Sequence, residues 1–154
     1  MDVPTLKGAA MRVLQILTNK GSEIFAITPE ASVAELVRTL ADRKVGALLV
    51  RTPNGQFAGI VSERDIVRAL GSRETILHDP VSSIMTTDVV TVSHDADVSD
   101  LMRLMTDQRV RHVPVVDEGN ELVGVVSIGD VVKNRMDELE AERSALMDYI
   151  TQGG

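Results

Sequence analysis

The chain of 154 residues contains no cysteine. Disulfides, thiolate metal sites and cysteine nucleophiles are thereby excluded. Tryptophan is missing as well, and the only Phe or Tyr residues are Phe25, Phe57 and Tyr149. Basic residues are the minority charge, 16 against 23 acidic, which leaves a net charge of −7. A nucleic-acid surface wants a basic face and stacking platforms, so no nucleic-acid partner is expected. No stretch approaches the roughly 20 uninterrupted apolar residues that span a bilayer, so no membrane partner is expected. Asp2 precedes any basic residue, and Lys7 and Arg12 interrupt the apolar positions; the N-terminus does not read as a secretory signal, and a cytoplasmic location is the default. The rest of the composition, 44% apolar and 25% charged, is that of a globular protein. Its length suits one compact domain or two very small ones.

What the chain does contain is itself, twice. Residues 21–70 lie over 86–135 at a constant offset of 65 without a gap. Twelve of the 50 pairs are identical: Ala31/Ala96, Val33/Val98, Leu36/Leu101, Arg38/Arg103, Asp42/Asp107, Val45/Val110, Val50/Val115, Gly59/Gly124, Val61/Val126, Ser62/Ser127, Asp65/Asp130 and Val67/Val132. The lead-ins match too, "VLQILT" (13–18) with "VSSIMT" (81–86), the first copy carrying three more residues before its first strand. A repeat of this length is one supersecondary unit written twice.

Each copy parses as β-α-β-β-α. The first strands are expected at Ile24–Ile27 and Val89–Val92. Apolar residues at i, i+3, i+4 and i+7 then mark a helix: Val33, Leu36, Val37 and Leu40, or Val98, Leu101, Met102 and Met105. Thr28-Pro29 offers a capping hydroxyl and a helix-starting proline. Strands follow at Ala47–Arg51 with Phe57–Val61, and at Val113–Val116 with Leu122–Val126, joined by the turn-rich "TPNGQ" and "DEGNE". Second helices are expected from Glu63 and Ile128. The fold class is therefore α+β, a tandem pair of such units. One unit is too small to bury its own sheet face, so the two should pack as one pseudo-two-fold body. The expected divisions are 12–71, 80–136 and a C-terminal helical extension at 137–154, with a linker near 71–80. Val132, Met136, Leu139, Leu146 and Ile150 fall near heptad spacing. They read either as packing along the same domain or as a dimer contact, and the closing "TQGG" is expected to fray.

Ser62-x-x-Asp65 and Ser127-x-x-Asp130 stand where a strand meets a helix. The plain reading is a capping box, serine at the N-cap and a carboxylate in the first turn. A second reading is chemical. A helix N-terminus favours a phosphate through its free N–H groups and dipole. An aspartate held there can accept two hydroxyls of a ribose.

The gapless repeat, the segments "GIVSERD" and "GVVSIGD", the "IMT" lead-in and "RHVPVVD" resemble a CBS-domain pair, or Bateman module, over about residues 12–136. No catalytic domain is attached, so the chain is similar to stand-alone CBS-pair proteins of bacteria and plant organelles. The resemblance implies an adenine nucleotide (AMP foremost; ADP, ATP, NAD or S-adenosylmethionine as alternatives) in the cleft between the copies. It implies that Asp65 and Asp130 each hold a ribose, with Ser62 and Ser127 assisting. The base would lie against Ile24 and Phe25 or Val89 and Val90, completed by backbone at Ala47 and Leu48 or at His112, Val113 and Pro114. Arg111 and His112 would serve the phosphate of the Asp65 ligand, and Arg64 that of the Asp130 ligand. A homodimer and a regulated partner protein, not identified by the residues, are further implications.

Catalysis is not expected. His78, His94 and His112 show no metal-ligand spacing, and neither G-x-S-x-G nor G-x-x-x-x-G-K occurs. No metal site is expected. Two functions remain open: a regulatory module that senses nucleotide occupancy, or a constitutive dimeric scaffold with empty sites.

Overall fold

The computed structural model describes residues 11–21 and 24–153. Apolar alternation and helical periodicity produce the expected elements twice. The first set is β1 (Ala26–Ile27), α2 (Val33–Arg43), β2 (Ala47–Arg51), β3 (Phe57–Ser62) and α3 (Glu63–Ser72), preceded by α1 (Val13–Lys20). A single 3-10 turn, Val81–Ser83, leads to β4 (Val92–Ser93), α4 (Val98–Gln108), β5 (His112–Val116), β6 (Leu122–Ser127) and α5 (Ile128–Gly153). Each set makes a three-stranded sheet, with the first strand parallel to the second and the second antiparallel to the third. Both hairpins carry a register shift at the same place, between Val50 and Arg51 and between Val115 and Val116.

The two compact units in space are not the two repeats in sequence. Among the described residues, one unit is 24–90 and the other joins 11–21 to 91–153. The core of the first gathers Ile27, Leu36, Leu40, Leu48, Val50 and Val61 with Val81 from the second lead-in. The core of the other gathers Val98, Leu101, Met105, Val113, Val115, Val126 and Val131 with Val13, Ile16 and Leu17 of α1. Each repeat is thus completed by the lead-in of the other. The backbone pins the exchange in matching bonds: Val13 N–H donates to the Ala96 carbonyl as Val81 N–H does to Ala31. Leu14 N–H likewise donates to His94, as Ser82 does to Pro29.

The exchange explains the repeated glycine. A Cβ on Gly59 would lie 2.4 Å from the Thr86 carbonyl oxygen, and one on Gly124 would lie 2.8 Å from Cδ2 of Leu17. A backbone obstacle cannot yield, whereas the tip of a leucine can rotate. Gly59→Ala is therefore expected to cost about 1–3 kcal/mol of stability, the usual range for overpacking, and Gly124→Ala distinctly less. Urea unfolding of the two variants checks this; equal losses would contradict it.

Several local expectations need correction. The first strands span two residues each, not four, because each is an edge strand held by only two register pairs. The helix cap is Ser32, not Thr28. Its hydroxyl accepts the Glu35 N–H at 3.1 Å, a Ser-x-x-Glu arrangement, while Thr28–Ala31 forms a turn closed at 3.2 Å. The linker near 71–80 is tied to the first repeat: Leu77 and Asp79 carbonyls accept the Ala34 and Val33 N–H groups, and Ile76 is buried. The end expected to fray stays helical through Gly153, since no glycine or proline intervenes from Val131 to Gln152. Along α5, Val131 and Asn134 are buried, but every residue from Leu139 to Gln152 is exposed. The distal half of α5 therefore does not pack along its own domain.

Candidate functional site

The strand–helix junctions hold the two aspartates in place. At the first, β3 ends in Ser62 and α3 begins at Glu63. Asp65 is 7% exposed, and its carboxylate accepts three hydrogen bonds. Ser62 N–H (2.9 Å) and the Ser62 hydroxyl (3.2 Å) reach Oδ2, and the Thr86 hydroxyl (3.2 Å) reaches Oδ1. The exposed Arg68 guanidinium stands 3.6 Å from Oδ1. At the second junction the box is reciprocal: Ser127 N–H donates to Asp130 Oδ2 at 2.9 Å, and Asp130 N–H donates to the Ser127 hydroxyl at 3.1 Å. Both capping boxes anticipated from the sequence are formed.

The third donor distinguishes the sites. In the first unit it is Thr86, whose N–H donates to the Ile60 carbonyl at 2.8 Å and whose hydroxyl reaches Asp65. In the second it is the Lys20 amine, which donates to the Val125 carbonyl at 2.9 Å and to Asp130 Oδ2 at 2.7 Å. Ile60 and Val125 are equivalent positions of the repeat, so one ammonium does what a backbone N–H and a hydroxyl do in the other copy. Burial works to raise the Asp130 pKa. The Lys20 hydrogen bond, the Ser127 N–H, the Lys20 charge and the Ser127 hydroxyl outweigh it, and the pKa lies below the ordinary carboxylate value. A lowered carboxyl binds its proton less readily folded than unfolded. Its contribution to stability is complete at neutral pH and is lost as pH falls through the folded value.

The N-terminal amides are less open than the sequence suggested. Glu63 N–H donates to the Gly46 carbonyl at 3.0 Å and Ile128 N–H to the Arg111 carbonyl at 2.8 Å. The first N–H of each helix is therefore used within the protein, as a junction tied to the neighbouring strand requires.

The CBS-domain family model matches residues 16–72 and again 81–137. This chain belongs to the CBS-domain family. It is 40% identical over 137 residues to the mitochondrial CBS domain-containing protein CBSX3 of Arabidopsis thaliana, covering 82% of this chain and 63% of that one. The crystal structure of the CBS-domain protein ATU1752 from Agrobacterium tumefaciens superimposes with a TM-score of 0.79 at 40% identity, covering 84% of this chain and 96% of that one. The CBS-domain protein PAE2072 of Pyrobaculum aerophilum, solved with AMP, matches at 30% identity and a TM-score of 0.69, covering 78% and 89%.

The remaining expected residues of the CBS repeats divide by unit. Ala47 is half-buried and Leu48 buried in β2; His112 is half-buried and Val113 and Pro114 buried in β5. The Leu48 and Val113 side chains fill the two cores, so only their backbone is available to a ligand. Ile24 and Phe25 precede β1 rather than lying on it. The Phe25 carbonyl accepts the Leu49 N–H at 3.1 Å, and the Arg43 guanidinium covers its ring at 4.9 Å. Val89 and Val90 precede β4 and belong to the 24–90 unit. Arg64 and Arg111 are exposed at the start of α3 and just before β5.

Sequence reasoning missed three polar groups. Thr86 was visible as the last residue of the matched lead-in, and Lys20 lies within the three extra residues of the other. Asn134, one turn beyond Asp130 on α5, is 7% exposed, and its Oδ1 has no hydrogen-bond partner among the described residues. A histidine also finds partners that chain spacing does not show: His94 Nε2 lies 3.2 Å from Glu118 Oε1 and 3.6 Å from Asp95 Oδ2. No helix among the described residues is long and apolar enough to cross a membrane.

Proposed function

We propose that this chain is a regulatory module whose Asp65 and Asp130 junctions bind adenosine nucleotides, AMP foremost, and that occupancy is passed to a partner protein. The observation that carries the reading is the carboxylate fixed at each strand–helix junction, in a family with a relative solved in complex with AMP. A ribose diol needs an ionised acceptor that does not swing. Ser62 and Ser127 supply the fixing bond, and the Lys20 hydrogen bond helps to hold the Asp130 pKa below the ordinary carboxylate value. Hydrogen bonds to a charged acceptor are worth roughly 1.5–3 kcal/mol each, enough to dominate recognition of a small ligand. A ligand acts as a signal only through different affinities for two states of the protein.

The α5 stripe favours an interaction role beside this one. Val132, Met136, Leu139, Leu146 and Ile150 are 49–64% exposed, an apolar seam suited to a second copy in a homodimer. Calorimetric titration with AMP, ADP, ATP, NAD and S-adenosylmethionine tests the sensing function. Saturable heat with AMP is expected. Absence of heat for all five at millimolar ligand would leave the constitutive scaffold.

A further inference from the structure

We propose that Lys20 sets the charge selectivity of the Asp130 site, so that this site takes phosphate-bearing nucleosides in preference to uncharged ones. The inference rests on the nucleotide-binding reading above and adds a residue and a ligand class to it. The two junctions share a serine N–H on an aspartate and differ in what stands behind the carboxylate. Behind Asp65 is a neutral hydroxyl, with Arg68 3.6 Å away on a side chain 77% exposed and screened by solvent. Behind Asp130 is an ammonium at 2.7 Å, held a second time by the Val125 carbonyl. The first box is therefore compensated only by a solvent-screened guanidinium at 3.6 Å, while the second is neutral as a hydrogen-bonded pair.

A nucleoside's sugar hydroxyls need only an acceptor. A 5′-phosphate brings further negative charge, which a weakly compensated carboxylate repels and a lysine-compensated one does not. Lys20 need not leave for the ligand to enter. Its bond and that of Ser127 N–H both fall on Oδ2, which leaves Oδ1 as the face a diol can approach. The amine is also placed by two acceptors rather than trailing in water, so its charge stays with the site. None of this follows from the repeat, because Lys20 lies in the unmatched part of the lead-in.

The test uses the full chain, with binding followed on the backbone amides of residues 127–133 by NMR. AMP and adenosine are titrated separately into wild type, Lys20→Met and Lys20→Arg. Wild type and Lys20→Arg are expected to prefer AMP. Lys20→Met is expected to lose about tenfold in AMP affinity, the equivalent of 1.4 kcal/mol, with adenosine affinity nearly unchanged. Equal losses for both ligands, or tighter adenosine binding because the amine was a plug, would overturn the proposal. A wild-type protein that binds neither ligand is a different result: it refutes nucleotide binding itself and the selectivity with it. The ion pair has its own readout, the Asp130 carboxyl carbon followed through acid, whose titration should move to higher pH in Lys20→Met.

Discussion

Asp65→Ala should lower stability by about 3 kcal/mol, the largest loss expected from any single substitution at either junction. The carboxylate is buried and satisfies three donors from two segments of chain, Ser62 and Thr86. Alanine strands the Ser62 N–H, which cannot turn to water, and cuts the tie between α3 and the exchanged lead-in. The two hydroxyls can reorient, which keeps the total below the sum of three charged hydrogen bonds. Asp65→Asn is the informative control. Its amide oxygen can take both Ser62 donors, and its NH2 can donate to Thr86 once that hydroxyl reverses. The asparagine variant should lose only about 1 kcal/mol. Urea unfolding followed by far-ultraviolet circular dichroism compares the three proteins. An alanine variant no worse than the asparagine one would mean that the buried network contributes little.

Some of this was legible without coordinates, for physical reasons. The helices α2 and α4 and the hairpins β2–β3 and β5–β6 announce themselves because burial on one face imposes a period, and the register between copies never slips. The serine–aspartate boxes are local, spanning three residues, so their hydrogen bonds follow from spacing alone. The exchange of lead-ins is different. An eight-residue amphipathic helix such as α1 carries a buried face but no label for the sheet that receives it. Only the tertiary bonds from Val13 and Leu14 to residues 94–96 decide the matter. Lys20 was hidden for the same reason, since its partner Asp130 lies on the other repeat in sequence and in the same unit in space. Thr28 misled because a proline-led cap and a turn have the same composition; Ser32 won through the Glu35 amide. The phosphate-ready helix ends were overestimated, because strand carbonyls at Gly46 and Arg111 claim their first N–H groups.

Asp130→Asn carries the functional prediction with the greatest effect. Asparagine keeps an oxygen for the Ser127 N–H, and an ion pair as exposed as Lys20–Asp130 is worth about 0–1 kcal/mol. Folding should therefore be nearly undisturbed, with the thermal midpoint shifting by only about 2–4 °C. Ligand binding should not be spared. A ribose diol donates to the lone pairs of the free Oδ1, but in the asparagine whose oxygen keeps the Ser127 N–H that position is an NH2 group, a donor facing donors. Losing one charged hydrogen bond of roughly 1.5–3 kcal/mol weakens binding about ten- to hundredfold. The decisive measurement is an AMP titration of wild type and Asp130→Asn read on the amides of residues 127–133. Saturation in the wild type, with a midpoint displaced at least tenfold in a variant of nearly unchanged thermal stability, is the expected result. Identical midpoints in the two proteins, or amides that ignore AMP altogether, would show that this aspartate caps its helix and holds no sugar.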